Sequence, residues 1–135
     1  MNPPVITPEI YALRPDFAAL SILVTGARNG PSDPHGAEQL QLACETQEPE
    51  WVEAHLDAWR DAYRAFGAKP QRTPCSVDAL RKRAQRDGTL PPVNAVVDLY
   101  NAISLRFALP IGGEAFDTAQ NGEPKTEMID PGEVI

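Results

Sequence analysis

Val93-Asn94-Ala95-Val96-Val97-Asp98-Leu99-Tyr100-Asn101-Ala102-Ile103-Ser104-Leu105-Arg106-Phe107-Ala108-Leu109-Pro110 is the stretch that decides the fold. It predicts a helix from about Asn94 to Ala108, stopped by Pro110, which has no N–H to give and clashes with the turn before it. Val96, Leu99, Ile103 and Phe107 make one apolar line. Asn94, Asp98 and Asn101, at offsets 0, 4 and 7, set three polar groups in a row on a mostly apolar helix. A polar group buried without hydrogen bonds costs about 1–3 kcal/mol, so the row needs partners. Either the three side chains cap a neighbouring loop, or they border a site for a ligand.

Upstream, Cys75 to Arg86 reads as another helix, with Val77, Leu80 and Ala84 inward, Arg81, Lys82, Arg83 and Arg86 largely outward, and Gly88 ending it. Before it, Pro49 opens a helix that closes at Gly67. Its Val52, Leu56, Trp59, Tyr63 and Phe66 form a wide apolar stripe. The regular spacing favours packing for Trp59 and Tyr63, with stacking on nucleic-acid bases as the other use of such rings. A first helix starts at Asp33-Pro34, where the carboxylate can cap free amides and proline loses nothing at the first helical position. It runs to about Gln47. Ala18 to Thr25, short, β-branched toward its end and closed by Gly26, is predicted to be a buried strand. Residues 1–16 are a proline-rich, irregular lead-in, and Val134-Ile135 looks like the start of a further strand.

The chain has 135 residues, 42% of them hydrophobic, which fits one domain able to bury a core without staples. Its longest uncharged apolar run, Phe17 to Gly26, is half of what a membrane span needs, and the first residues show no secretory signal. Cytoplasm is the expected address. Cys44 and Cys75 are too few for a disulfide framework, and no ligand set is spaced for a metal.

Net charge is −7, but it is unevenly spread. Arg60 to Arg86 carries eight basic against two acidic side chains. Such a band is either a pair of solvated helix faces or a local phosphate-binding surface, and the acidity of the whole makes any nucleic-acid contact weak and salt-dependent. Gly112-Gly113 before Glu114 is a simple turn, or a place where backbone N–H groups meet an ester carbonyl or a phosphate. Cys75 at a helix start has the dipole that favours thiolate, but neither His35 nor His55 lies in a motif marking it as its base.

The run from Val93 to Pro110, with Trp59-Arg60-Asp61-Ala62-Tyr63-Arg64-Ala65-Phe66-Gly67-Ala68-Lys69-Pro70 and Cys75-Ser76-Val77-Asp78-Ala79-Leu80, resembles the B3/B4 domain, the editing and tRNA-binding module of the phenylalanyl-tRNA synthetase beta chain. The upstream stretches are similar to its free-standing branch, and the resemblance covers roughly residues 16 to 114. It implies an α+β fold, with helices layered on a mixed, largely antiparallel sheet. It also implies an activity, hydrolysis of the ester of mischarged tRNA by a positioned water with no metal or cofactor.

Asn101 and Asp98 match residues at the family's pocket, whereas Tyr100 stands where the synthetase has Thr. Glu114-Ala115-Phe116-Asp117 follows a Gly-Gly insertion in place of a His-Ala-Phe-Asp run. The resemblance therefore gives Glu114 and Asn101 catalytic roles. Substrate contact goes to Asn94, Asp98, Tyr100, Gly112 and Gly113, and the tRNA acceptor end to Arg72, Arg81, Lys82, Arg83 and Arg86. Further strands follow at this point in the family. The chain reads as one shortened B3/B4-like domain over residues 1–135, with a divergent tail at 115–135. Two other readings stay open: a module that binds tRNA, an amino acid or a protein without catalysis, and a homo-oligomer that completes the sheet. Neither a membrane nor DNA is an expected partner.

Overall fold

The computed structural model describes residues 4–115 and 127–128. Five helices carry the architecture: α1 (Pro8–Leu13), α2 (Pro34–Glu45), α3 (Val52–Ala65), α4 (Ser76–Asp87) and α5 (Ala95–Phe107). Strand structure among the described residues is one antiparallel pair, β1 (Glu114–Ala115) with β2 (Glu127–Met128). The layered α+β arrangement is therefore corrected to a helical one, in which helices pack on helices. The reading of Val134-Ile135 lies outside the described residues.

Three helix boundaries follow the local chemistry. Asp33 caps α2 by accepting from the Gly36 N–H at 2.7 Å, with Pro34 in the first turn. Gly88, at φ +72°, takes the left-handed conformation that closes α4. Asn94 caps α5, its side-chain oxygen accepting from the Val97 N–H at 2.9 Å. The lead-in also holds a short helix, α1.

Ala18 to Thr25 departs most from expectation. It is neither strand nor buried: Leu20 is 86% and Ile22 76% exposed. Among the described residues no backbone bond pairs this segment with another strand, so the propensity is there without the neighbour that would bury it.

Two apolar clusters form the core. Val52 and Leu56 of α3 pack with Cys75, Val77 and Ala108, and Trp59 and Tyr63 cover them. Phe66, the last member of the α3 stripe, is exposed instead. Leu40 of α2, Ala84 of α4, Leu90 and Ala102 of α5 form the second cluster. The closest helix pairing is α2 with α5. At Gly36 the two helices are in ordinary contact: a Cβ there would lie 3.4 Å from Asp33 Oδ1 and 3.7 Å from Asp98 Cβ.

Candidate functional site

Asp98 and Asn94, the first two members of the polar row, are fully buried. Asp98 Oδ2 accepts from the Ser32 hydroxyl at 2.5 Å, and Oδ1 accepts from the Val93 N–H at 2.8 Å. Around them the first turn of α5 is saturated. Its free amides go to the Gly30 carbonyl (from Ala95, 3.0 Å), to Asn29 Oδ1 (from Val96, 3.1 Å) and to Asn94 Oδ1 (from Val97, 2.9 Å). A carboxylate there also meets the positive end of the helix dipole. Asn29, itself 1% exposed, is the structural partner of α5 that sequence reading missed; the Asn29-Gly30-Pro31 turn was legible, its target was not. Asn29 and Asp98 thus pin the 29–33 loop onto α5, while Asn94 caps the helix. Asn101, one turn further on, is half-buried, and its side chain makes no hydrogen bond to the other described residues.

Tyr100 is half-buried, and burial pushes its phenol up from the ordinary range. Gly112, Gly113 and Glu114 follow α5, with Gly112 and Glu114 exposed. No hydrogen bond among the described residues joins Glu114 to Asn101. At Cys75, burial raises the thiol pKa above its usual value and outweighs the hydrogen bonds at the start of α4.

Much of the basic band is occupied by acids. Arg81 grips Glu48 at 2.5 and 2.9 Å and meets Glu53 at 2.9 Å. Arg86 pairs with its neighbour Asp87 at 2.7 Å, and Lys82 stands 3.6 Å from Asp78. Arg72 and Arg83 form no salt bridge among the described residues. The strongest pairing is internal: Arg60 donates two bonds of 3.1 Å to Asp78, which is 1% exposed, and one each to Glu53 (2.8 Å) and Asp57 (2.7 Å). Burial alone would raise the Asp78 pKa, but the Arg60 guanidinium outweighs it and holds the carboxyl below its usual range.

Two clefts lie elsewhere, and they adjoin. One, of about 510 Å³, runs between α2 and α5 past His35, Leu42, Leu99, Ile103 and Phe107. The other, of about 330 Å³, runs from Glu48, Arg81 and Gln85 to Leu105. They share Ala43, Thr46 and Arg106. The apolar line of α5 lies on the first of them: Leu99, Ile103 and Phe107 are 41%, 47% and 51% exposed. Sequence periodicity had found this line but not what it faces. A cation, Arg106, therefore stands where the two grooves meet. No helix among the described residues is long and apolar enough to cross a membrane.

In comparisons with known proteins, the B3/4 domain family matches residues 58–135, more than half of the chain. No curated protein and no solved structure matches it.

Proposed function

Because this chain belongs to the B3/4 domain family, a phenylalanyl-tRNA synthetase-related domain, we propose that it is a binding module that holds the charged end of a tRNA without cleaving its ester. The observation that carries this is the joined cleft at Arg106. An amino-acid side chain fits the apolar wall of Leu99, Ile103 and Phe107, while the Arg106 guanidinium faces the neighbouring phosphate, which it can grip with two parallel donors. Arg83 and Arg72 supply further, longer-range attraction. Asn94 and Asp98 act as supports for α5, since their hydrogen bonds are already made inside the protein.

Binding of a labelled aminoacyl-tRNA tests this reading. Log affinity is expected to fall linearly with log salt, and Arg106→Ala or Arg83→Ala to reduce the slope by about 1 each. Arg81→Ala is expected to change it less, because Glu48 and Glu53 already neutralise that cation. Salt-independent binding, or an unchanged slope in Arg106→Ala, would point to a protein partner instead.

The exposed Ala18 to Thr25 segment supports a second contact, pairing with the same segment of another copy. The stretch Phe17 to Ala27 carries no charge, so two acidic chains can approach there without repulsion. Light scattering is expected to show a concentration-dependent dimer that Ile22→Lys abolishes. A monomer at all concentrations removes this contact and leaves the cleft reading intact.

A further inference from the structure

The aromatic stripe of α3 does not end in the core. Trp59 and Tyr63 cover the first apolar cluster, but Phe66, at the C-cap of the helix, stays 55% exposed. Tyr63 braces it, ring centroids 5.0 Å apart at a tilt of 48°. Beyond Phe66 the chain doubles back, the Ala68 N–H donating to the Tyr63 carbonyl at 2.9 Å and the Gly67 N–H to that of Arg64 at 3.0 Å. A second turn follows at once, in which the Arg72 and Thr73 N–H groups both donate to the Lys69 carbonyl, at 2.9 and 2.8 Å. Consecutive Cα atoms are about 3.8 Å apart, so Lys69 stands within about 11 Å of Phe66, and the turn keeps Arg72 near Lys69. An exposed ring and two cations are thus presented by one hydrogen-bonded loop.

The charge on that loop is uncompensated. Residues 66–74 contain no acid, and among the described residues neither Lys69 nor Arg72 forms a salt bridge. The nearest acids in sequence, Asp61 and Asp78, are held by Arg64 at 2.7 Å and Arg60 at 3.1 Å. Two free cations beside an open aromatic ring match a polyanion that also carries flat rings, and single-stranded RNA is one: its phosphates meet the cations, and an unpaired base stacks whatever its identity. A duplex keeps its bases stacked on one another and offers the ring nothing. We infer, on the RNA-binding reading above, that the end of α3 and this loop hold unpaired nucleotides, one base stacked on Phe66 and the neighbouring phosphates on Lys69 and Arg72. None of the three residues lines the joined clefts, so this is a second contact on the same partner.

A labelled single-stranded adenosine hexanucleotide and an abasic hexamer with the same phosphates form the test pair, each titrated with the full chain by fluorescence anisotropy. The hexanucleotide is expected to bind about tenfold more tightly than the abasic strand, within the usual range for one stacked base. Phe66→Ala should bring the two strands to equal affinity, and Phe66→Trp should keep them apart. Lys69→Ala combined with Arg72→Ala should lower the slope of log affinity against log salt by about 1.4, at about 0.7 for each phosphate contact on a single strand. Equal affinities in the unaltered chain, which needs no variant to fold, would overturn the inference. So would binding of neither strand, discrimination that survives Phe66→Ala, or a slope unchanged in the double variant. Arg106→Ala is expected to leave hexanucleotide binding as it is. Failure here with salt-dependent binding of charged tRNA intact removes this contact alone, and loss of charged-tRNA binding with the hexanucleotide still held removes the Arg106 reading alone.

Discussion

Asp98→Ala is expected to destabilise the fold by roughly 3–6 kcal/mol, from two hydrogen bonds to a charged group at about 1.5–3 kcal/mol each. That is a large share of the 5–15 kcal/mol typical of a domain. The loss has three parts. Ser32 and the Val93 N–H lose a fully buried acceptor. The first turn of α5 loses a negative charge at its positive end. The 29–33 loop, held also by Asn29, is freed on one side. Asn94→Ala removes a cap and is expected to cost less, about 1–2 kcal/mol. Chemical denaturation checks both, and an Asp98→Ala midpoint equal to that of the unaltered chain would mean the clamp is not needed. A side chain waiting for a substrate behaves in the opposite way, since removing it commonly leaves stability alone or raises it.

Arg60→Ala is expected to cost about 3–5 kcal/mol, because it strands the Asp78 carboxylate in a buried site. Its bonds to Glu53 and Asp57 contribute little, since both acids are more than half exposed. Replacing the pair together, Arg60→Met with Asp78→Leu, is expected to recover most of the loss. Acid gives a second readout. Asp78 titrates below its unfolded value, so its contribution is present above an unfolded pKa of about 3.9 and is lost as pH falls through the folded one. The melting temperature of the unaltered chain is therefore expected to drop steeply below about pH 4, and that of the double variant to drop less. An equal drop in both would place the acid-sensitive carboxylates elsewhere.

What the sequence disclosed was local chemistry. Asp33-Pro34, Gly88 and Asn94 mark helix ends because a cap acts within one turn, and the structure has them as caps. Burial was harder to read. Ala18 to Thr25 has the composition of a core strand, but a strand is buried only by a partner, and composition carries no information about one. On α5 the faces were exchanged because polar groups with partners displaced the apolar line. Asp98 and Ser104 go inward because each finds hydrogen-bond partners there, and Ala102 with them, while the bulkier Leu99, Ile103 and Phe107 stay outside. Counting charges by segment likewise could not show that Arg81 meets Glu48, 33 positions away.

For the site, the polar row announced that partners were needed and did not say which. Ser32 turned out to be the partner of Asp98, and Asn29 to hold the Val96 N–H beside the row. Arg106 drew no notice in the sequence, where it is a lone cation in an apolar helix. Its position at the junction of two clefts is a property of how α2, α4 and α5 pack.

The central claim is that this module holds a charged tRNA end and leaves its ester whole. The rate of amino-acid release from a panel of mischarged tRNAs, measured at saturating protein, tests it most directly. The account predicts release no faster than in buffer for every pair. Release above that rate for any one of them would contradict it and restore hydrolysis.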